Sequence, residues 1–445
     1  MSNNLRSQID IQRMTRYQWS VVILCMVLNM IDGFDVLVMA FTASAVSAHW
    51  KLNATELGVL LSAGAVGMAI GSLFLAPWAD KIGRRPLTLL SLLISGVSMT
   101  VAYWAQNPTQ LALLRGITGI GVGGILACSN VLASEYASTR WRSLAVTLQS
   151  TGYALGAAIG GSIAVWLLRH YDWHTVFLFG GIWSLAVLVV CWFMLPESMD
   201  FLLERQPENA LARTNALARK LELPQLAALP AVNPNAPKKQ AGIRRLLAPD
   251  LLRPTLLVWI SFFAVMFGFY FVMSWTPKLL AATGMTPEQG VTAGVLLSLG
   301  GIIGATLLGL LAARFAVNKA LACFMVITAV LLCFIVSNPG SLPISYSLAF
   351  LIGVFVNGCV AGLYAIAPRV YDSSVRATGV GWGIGIGRIG TIVSPLVAGA
   401  LLDAQWKPAT LYIAFGLTFV FAAIIVLMHR LKATPAGAAG TLSAH

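Results

Sequence analysis

"WSVVILCMVLNMIDGFDVLVMAF", residues 19–41, is apolar for almost its whole length yet carries two acids, Asp32 and Asp35. A run this long and apolar reads as a helix solvated by lipid, since about 20 such residues span the hydrocarbon core of a bilayer. Comparable runs recur, among them "TLLSLLISGVSMTVAYWA" (88–105), "TVFLFGGIWSLAVLVVCWFML" (175–195) and "ATLYIAFGLTFVFAAIIVLM" (409–428). The 445 residues are 58% hydrophobic and only 10% charged, with a mean hydropathy of +0.80. Soluble domains carry roughly 25% charged residues. The polar N-terminus, with Arg6, Arg13 and Arg16, precedes the first run, and no small-residue cleavage site follows it. That run is therefore expected to be the first membrane helix and not a cleaved leader.

Twelve spans are predicted, at about 18–42, 57–77, 86–105, 109–133, 144–168, 174–195, 255–279, 289–313, 319–337, 344–367, 377–402 and 408–431. The fold class is all-α and polytopic. Lys and Arg crowd the side that holds the N-terminus, Lys81, Arg84, Arg85, the 196–253 segment and Arg430, whereas the other side holds Lys51, Arg169, Lys278 and Lys407. By the positive-inside rule both termini are cytoplasmic. The net charge of +13 is thus mostly topology, and no nucleic-acid partner is needed to explain it. All six cysteines fall in apolar runs at no metal-ligand spacing and read as packed free thiols.

The longest polar segment, 196–253, divides the spans six and six. The expected organisation is an N-terminal half (1–195), a cytoplasmic linker (196–253), a C-terminal half (254–432) and a disordered tail (433–445). Within the linker, "DFLLERQPENALARTNALARKLEL" reads as one or two short amphipathic helices and "LPAVNPNAPKK" as a connector. The halves repeat weakly: "GSLFLAPWADKIGRRPL" (71–87) aligns with "GATLLGLLAARFAVNKA" (304–320), and "EYASTRWRS" (135–143) with "VYDSSVRAT" (370–378). Duplicated helical halves are the mark of secondary transporters, whose substrate site lies between the halves near mid-membrane.

Charges inside the spans single out the site. Asp32, Asp35, Arg115 and Arg388 are deep, and each costs roughly 2.5–3.5 kcal/mol or more to insert. Asp32 and Asp35 are three residues apart and so share a helix face. Two nearby carboxylates repel when both are ionised, so one is poised to take up a proton, as proton coupling requires. Arg388 lies in "RATGVGWGIGIGRIG", where glycines leave room around a guanidinium suited to a carboxylate substrate. It is equally a counter-charge for Asp32 or Asp35. Arg115 opens "RGITGIGVGGI", whose small residues allow close helix packing. The loop "PWADKIGRRP" (77–86) suggests a gate: Asp80 against a facing helix end, and Arg84 or Arg85 against Glu135.

These motifs together resemble the major facilitator superfamily over essentially the whole chain. "ADKIGRR" is similar to its signature between spans two and three, and "LALLRGITGIGVGG" to its span-four signature. "DGFD", "SEYASTRWRS" and "VRATGVGWGIGIGRIGTIVSPLVAG" resemble the aromatic acid/proton symporters more finely. The resemblance implies two pseudo-symmetric six-helix halves, Asp32 and Asp35 in coupled uptake, and Arg115 and Arg388 in the cavity. It places Asp80, Arg84, Arg85, Glu135 and Arg142 in a cytoplasmic gate. The chain departs from the pattern at Ala76, where the signature opens with Gly, and at Ala313, which replaces the Asp of the second copy. "PES" (196–198) is shared with sugar porters, but the rest of their motif is missing.

Aromatic and polar side chains in the spans are candidates to finish a substrate pocket: Phe34, Tyr153, Tyr270, Asn357, Tyr364 and Trp382, with Gln149 also polar within a span. No zinc motif, nucleophile elbow or phosphate loop is present, so no enzyme activity, metal or cofactor is expected, the coupling ion being a proton. The reading is a monomeric carrier in the inner membrane of a bacterium. It imports small organic anions, foremost benzoate-type aromatic carboxylates, by alternating access. Nicotinate or another small carboxylate is the alternative substrate, and drug/proton antiport the alternative activity.

Overall fold

The computed structural model describes residues 8–229, 243–335, 341–372 and 375–429. Among them are twelve helices long and apolar enough to cross a membrane. They are α1 (Arg16–Trp50), α2 (Ala54–Phe74), α3 (Arg84–Val101), α4 (Pro108–Tyr136), α5 (Arg142–His170) and α6 (Trp173–Met194), then α7 (Pro249–Ala282), α8 (Pro287–Arg314), α9 (Val317–Phe334), α10 (Leu342–Val370), α11 (Arg376–Asp403) and α12 (Pro408–Leu427). Helices are the natural choice here, because lipid offers no partner for a backbone N–H or C=O. Several observed helices overrun the expected spans, α1 and α7 most of all, because their ends stand clear of the apolar core that hydropathy detects.

Sequence punctuates the ends. Thr15 with Gln18 and Asn53 with Glu56 form capping boxes at the starts of α1 and α2, and Thr286 with Gln289 does so for α8. α4, α7, α8 and α12 each begin with proline, which costs nothing where the N–H has no partner. Gly83, at φ 102°, turns the chain into α3.

The packing repeats six helices on. α1 packs on α5, α2 on α4, α3 on α4 and α6; α7 packs on α11, α8 on α10, α9 on α10 and α12. Glycine makes the equivalent close approaches: a Cβ on Gly67 of α2 would strike the Gly116 carbonyl of α4, and one on Gly304 of α8 the Val354 carbonyl of α10. The halves meet where α2 lies on α11 and α5 on α8. At the end of the bundle away from the linker, Asp403 bonds to Ala54 and Thr55, and Ser62 to the Ile392 carbonyl.

The expected linker helices are present as Met199–Arg205 and Ala210–Lys220. Residues 230–239 of the expected connector and the 433–445 tail lie outside the described residues. None of the six cysteines forms a disulfide; Cys25, Cys128, Cys191 and Cys359 are buried as expected, but Cys323 and Cys333 are exposed on the helix surface.

Candidate functional site

A cavity of about 700 Å³ lies between the halves, from mid-height toward the linker end. α1, α2, α4 and α5 form one wall and α7, α10 and α11 the other. Six of the expected site residues line it: Asp32, Tyr153, Tyr270, Asn357, Tyr364 and Arg388, joined by Gln149. Asp32 and Arg388 thus face one space from opposite halves. Asp32 is 5% exposed, and its Oδ1 is buried without a hydrogen-bond partner. Asp35 and Arg388 both lie within electrostatic reach of it. Among the described residues, no salt bridge joins Arg388 to an acid. Tyr270 and Tyr364 sit close enough to Arg388 to feel its charge. The Tyr153 hydroxyl is buried and has no partner.

Asp35 is placed differently. It is 1% exposed and turned away from the cavity into α4, where Arg115 grips it twice. One guanidinium N–H donates to Asp35 Oδ1 at 2.5 Å, and another donates to the Asp35 backbone carbonyl at 2.7 Å. Arg115, expected to touch substrate, does not line the cavity; its charge is spent on this pair. Gly33 explains how α1 reaches its other neighbour, because a Cβ there would strike the Tyr153 carbonyl of α5.

Two expected aromatic residues are also elsewhere. Phe34 points between α5 and α6, where a Cβ on Gly160 or Gly180 would collide with its ring, and its ring contacts are Phe179 and Trp183. Trp382 is 42% exposed on the surface of α11, with its ring 6.0 Å from that of Trp259. In their place stand residues that the reading of charges and aromatics passed over: Asn29, Ser72, Asn130, Ser150 and Thr391. Their signal was an uncharged polar side chain within a span. Asn29 also ties α1 to α5, donating from Nδ2 to the Gln149 carbonyl at 2.9 Å.

At the linker end the loop before α3 is held by an acid the expectation did not name. The backbone N–H groups of Arg84 and Arg85 donate to Glu197 Oε1 at 2.8 and 3.2 Å, and Arg213 of the linker stands 3.9 Å from Glu197 Oε2. The Tyr136 hydroxyl donates to the Glu197 carbonyl at 2.6 Å. Arg84 pairs with Asp80 at 3.1 Å, and the Arg85 guanidinium donates to the Trp192 carbonyl at 2.6 Å. Asp80 is largely exposed, Arg142 pairs with Asp10, and Glu135 is buried at the end of α4. So "PES", set aside as a partial sugar-porter motif, supplies the anchor of this loop.

The arrangement offers a fixed cation, a carboxyl oxygen free to take a proton, and tyrosine and amide groups around a space sized for a small molecule. Among the described residues no cluster of His, Cys, Asp or Glu is suited to a metal.

Comparison with known proteins gives a family. The Major Facilitator Superfamily model matches residues 22–315 and 258–443. The chain is 35% identical over 444 residues to a gallate transporter of Pseudomonas putida, covering 97% of each chain. It is 33% identical over 414 residues to the 4-hydroxybenzoate transporter PcaK of Acinetobacter baylyi, covering 90% of each. Among solved structures, the partially occluded inward-open xylose transporter XylE from E. coli superposes with a TM-score of 0.72 at 14% identity, covering 93% of this chain and 98% of that one. That likeness speaks for the fold alone. The chain is a multi-pass membrane transporter and no enzyme: it belongs to the major facilitator superfamily, in the family that includes these gallate and 4-hydroxybenzoate transporters.

Proposed function

We propose that the protein imports aromatic carboxylates, hydroxylated benzoates foremost, together with protons. The observation that carries this is Asp32 and Arg388 facing one cavity from opposite halves, with one Asp32 oxygen buried and unpartnered. Arg388 receives the carboxylate as a forked donor. Tyr153, Tyr270 and Tyr364 flank the ring, and Asn130, Gln149 and Asn357 meet ring hydroxyls. The names of the two relatives support this class of substrate.

Asp32 takes the proton, while Asp35 is held by Arg115 and shapes α1. With Asp32 neutral and Arg388 satisfied by substrate, little net charge remains to hold the cavity open, and the halves rock about it. The linker end, rich in Lys and Arg, faces the cytoplasm of a bacterium whose inner membrane holds the protein. The cavity reaches toward that end, so the conformation is inward-facing. Asp80, Arg84, Arg85, Glu135 and Arg142, with Glu197, form the cytoplasmic gate. The halves divide at 1–195 and 254–432, the unit is a monomer, and the proton is its only accessory.

Uptake of labelled 4-hydroxybenzoate into proteoliposomes tests the reading, with benzoate, gallate, nicotinate and an aliphatic acid as competitors. Aromatic acids should compete and the aliphatic acid should not. Arg388→Gln should raise KM at least about tenfold, the worth of one lost charge-assisted pair. Wild-type KM in that variant, or equal competition by the aliphatic acid, would refute it.

A further inference from the structure

α11 ends as "GALLDAQW" (399–406), and Asp403 is its last residue. The carboxylate of Asp403 crosses to the other half and docks on the first residues of α2. Its Oδ1 accepts from the Ala54 N–H at 2.9 Å, and its Oδ2 accepts from the Thr55 N–H at 2.8 Å and the Thr55 hydroxyl at 2.5 Å. α2 already has its own cap, Asn53 with Glu56. Asp403 is therefore a second cap, supplied across the boundary between the halves to the electropositive end of a helix. Beneath it the same seam is tight: a Cβ on Gly58 would strike the Pro395 carbonyl, and one on Gly399 the Ala54 carbonyl.

None of these residues lines the cavity. Both Asp403 and Thr55 are exposed, so parting them returns each to water and leaves no buried charge. Such a contact is reversible, unlike the buried pair of Asp35 and Arg115. At the opposite end of the same helix pair, α11 begins at Arg376 with no side-chain cap. We infer that the docking of Asp403 on Ala54 and Thr55 is the outer latch of the transport cycle: it holds the inward-facing state and releases each time the site turns outward. The inference rests on the alternating-access reading above.

Labelling tests it without any substrate. Ser62, 3% exposed in the seam below the latch, is replaced by cysteine in the full chain, with Cys323 and Cys333 changed to serine. A membrane-impermeant maleimide is applied outside intact cells. Loss of a helix cap shifts an equilibrium by about three- to tenfold, so Asp403→Ala should speed labelling by about that factor. Thr55→Val should speed it less, and adding Thr55→Val to Asp403→Ala should change nothing further. Asp403→Asn, which keeps an acceptor oxygen, should fall between and serves if the alanine variant does not accumulate. Unchanged labelling in Asp403→Asn and Thr55→Val, or fully additive effects in the double variant, would overturn the latch. A wrong substrate assignment would leave these rates untouched and appear only in uptake.

Discussion

Arg115 holds Asp35 by two bonds, one to the carboxylate and one to the residue's own backbone carbonyl. Three residues earlier, Asp32 lines the cavity, and among the described residues no ion pair holds its carboxylate. Two acids on one helix therefore have separate tasks: Asp35 is neutralised within the first half, and Asp32 is left to the cavity.

The first consequence concerns stability. Removing one member of a buried ion pair costs roughly 3–5 kcal/mol, because the other is left uncompensated. Arg115→Met and Asp35→Asn should each lower the melting temperature of detergent-purified protein markedly. Combining them should recover part of the loss, since no charge is then stranded. A double variant as unstable as the two single losses summed would mean that the residues act independently.

Gly33 gives a second. A methyl group there meets the Tyr153 carbonyl, so Gly33→Ala must push α1 off α5 and tilt Asp32 with it. Gly385, which has open space around its Cα, is the control. Fluorescence-detected size exclusion should show Gly33→Ala poorly folded and Gly385→Ala close to wild type.

Glu197 supports a third. Its carboxylate accepts from the Arg84, Arg85 and Ser198 N–H groups. Glu197→Ala leaves these donors without their acceptor, at roughly 1–3 kcal/mol. Glu197→Gln keeps an acceptor oxygen and should cost less. Thermal denaturation of the two variants side by side checks the order.

The aromatic residues divide in a fourth. Tyr153 lines the cavity and Trp382 lies on the surface of α11. Tyr153→Ala should weaken substrate binding by at least about tenfold, in the range of one lost aromatic contact plus its hydroxyl. Trp382→Leu should leave binding within about twofold. Isothermal titration with 4-hydroxybenzoate reads both.

Much of this was legible from the residues. Lipid admits only helices or closed barrels, and continuous apolar runs of about 20 residues fit helices, so hydropathy alone yields twelve, and the high cost of charge in lipid draws the eye to Asp32, Asp35, Arg115 and Arg388. What sequence could not supply was direction. Asp32 and Asp35 lie about 60° apart around α1, and that rotation is enough to send one into the cavity and the other into α4. Whether Arg115 meets substrate or Asp35 depends on how α4 crosses α1, which is set by side chains on both helices. Phe34 and Trp382 look like Tyr153 and Tyr270 in one dimension; only the helix face separates them. Asn29 and Asn130 were passed over because an amide is a cheap guest in a span beside a carboxylate. Glu197 was passed over because its partners are backbone N–H groups, which leave no trace in a motif.

The division of labour between Asp32 and Asp35 is open to one decisive comparison. Asp32→Asn protein in proteoliposomes should exchange labelled 4-hydroxybenzoate across the membrane at equal concentration, yet fail to accumulate it under an imposed inward proton gradient. Accumulation by Asp32→Asn at the wild-type level would remove Asp32 from proton coupling and, with it, the central reading of the site.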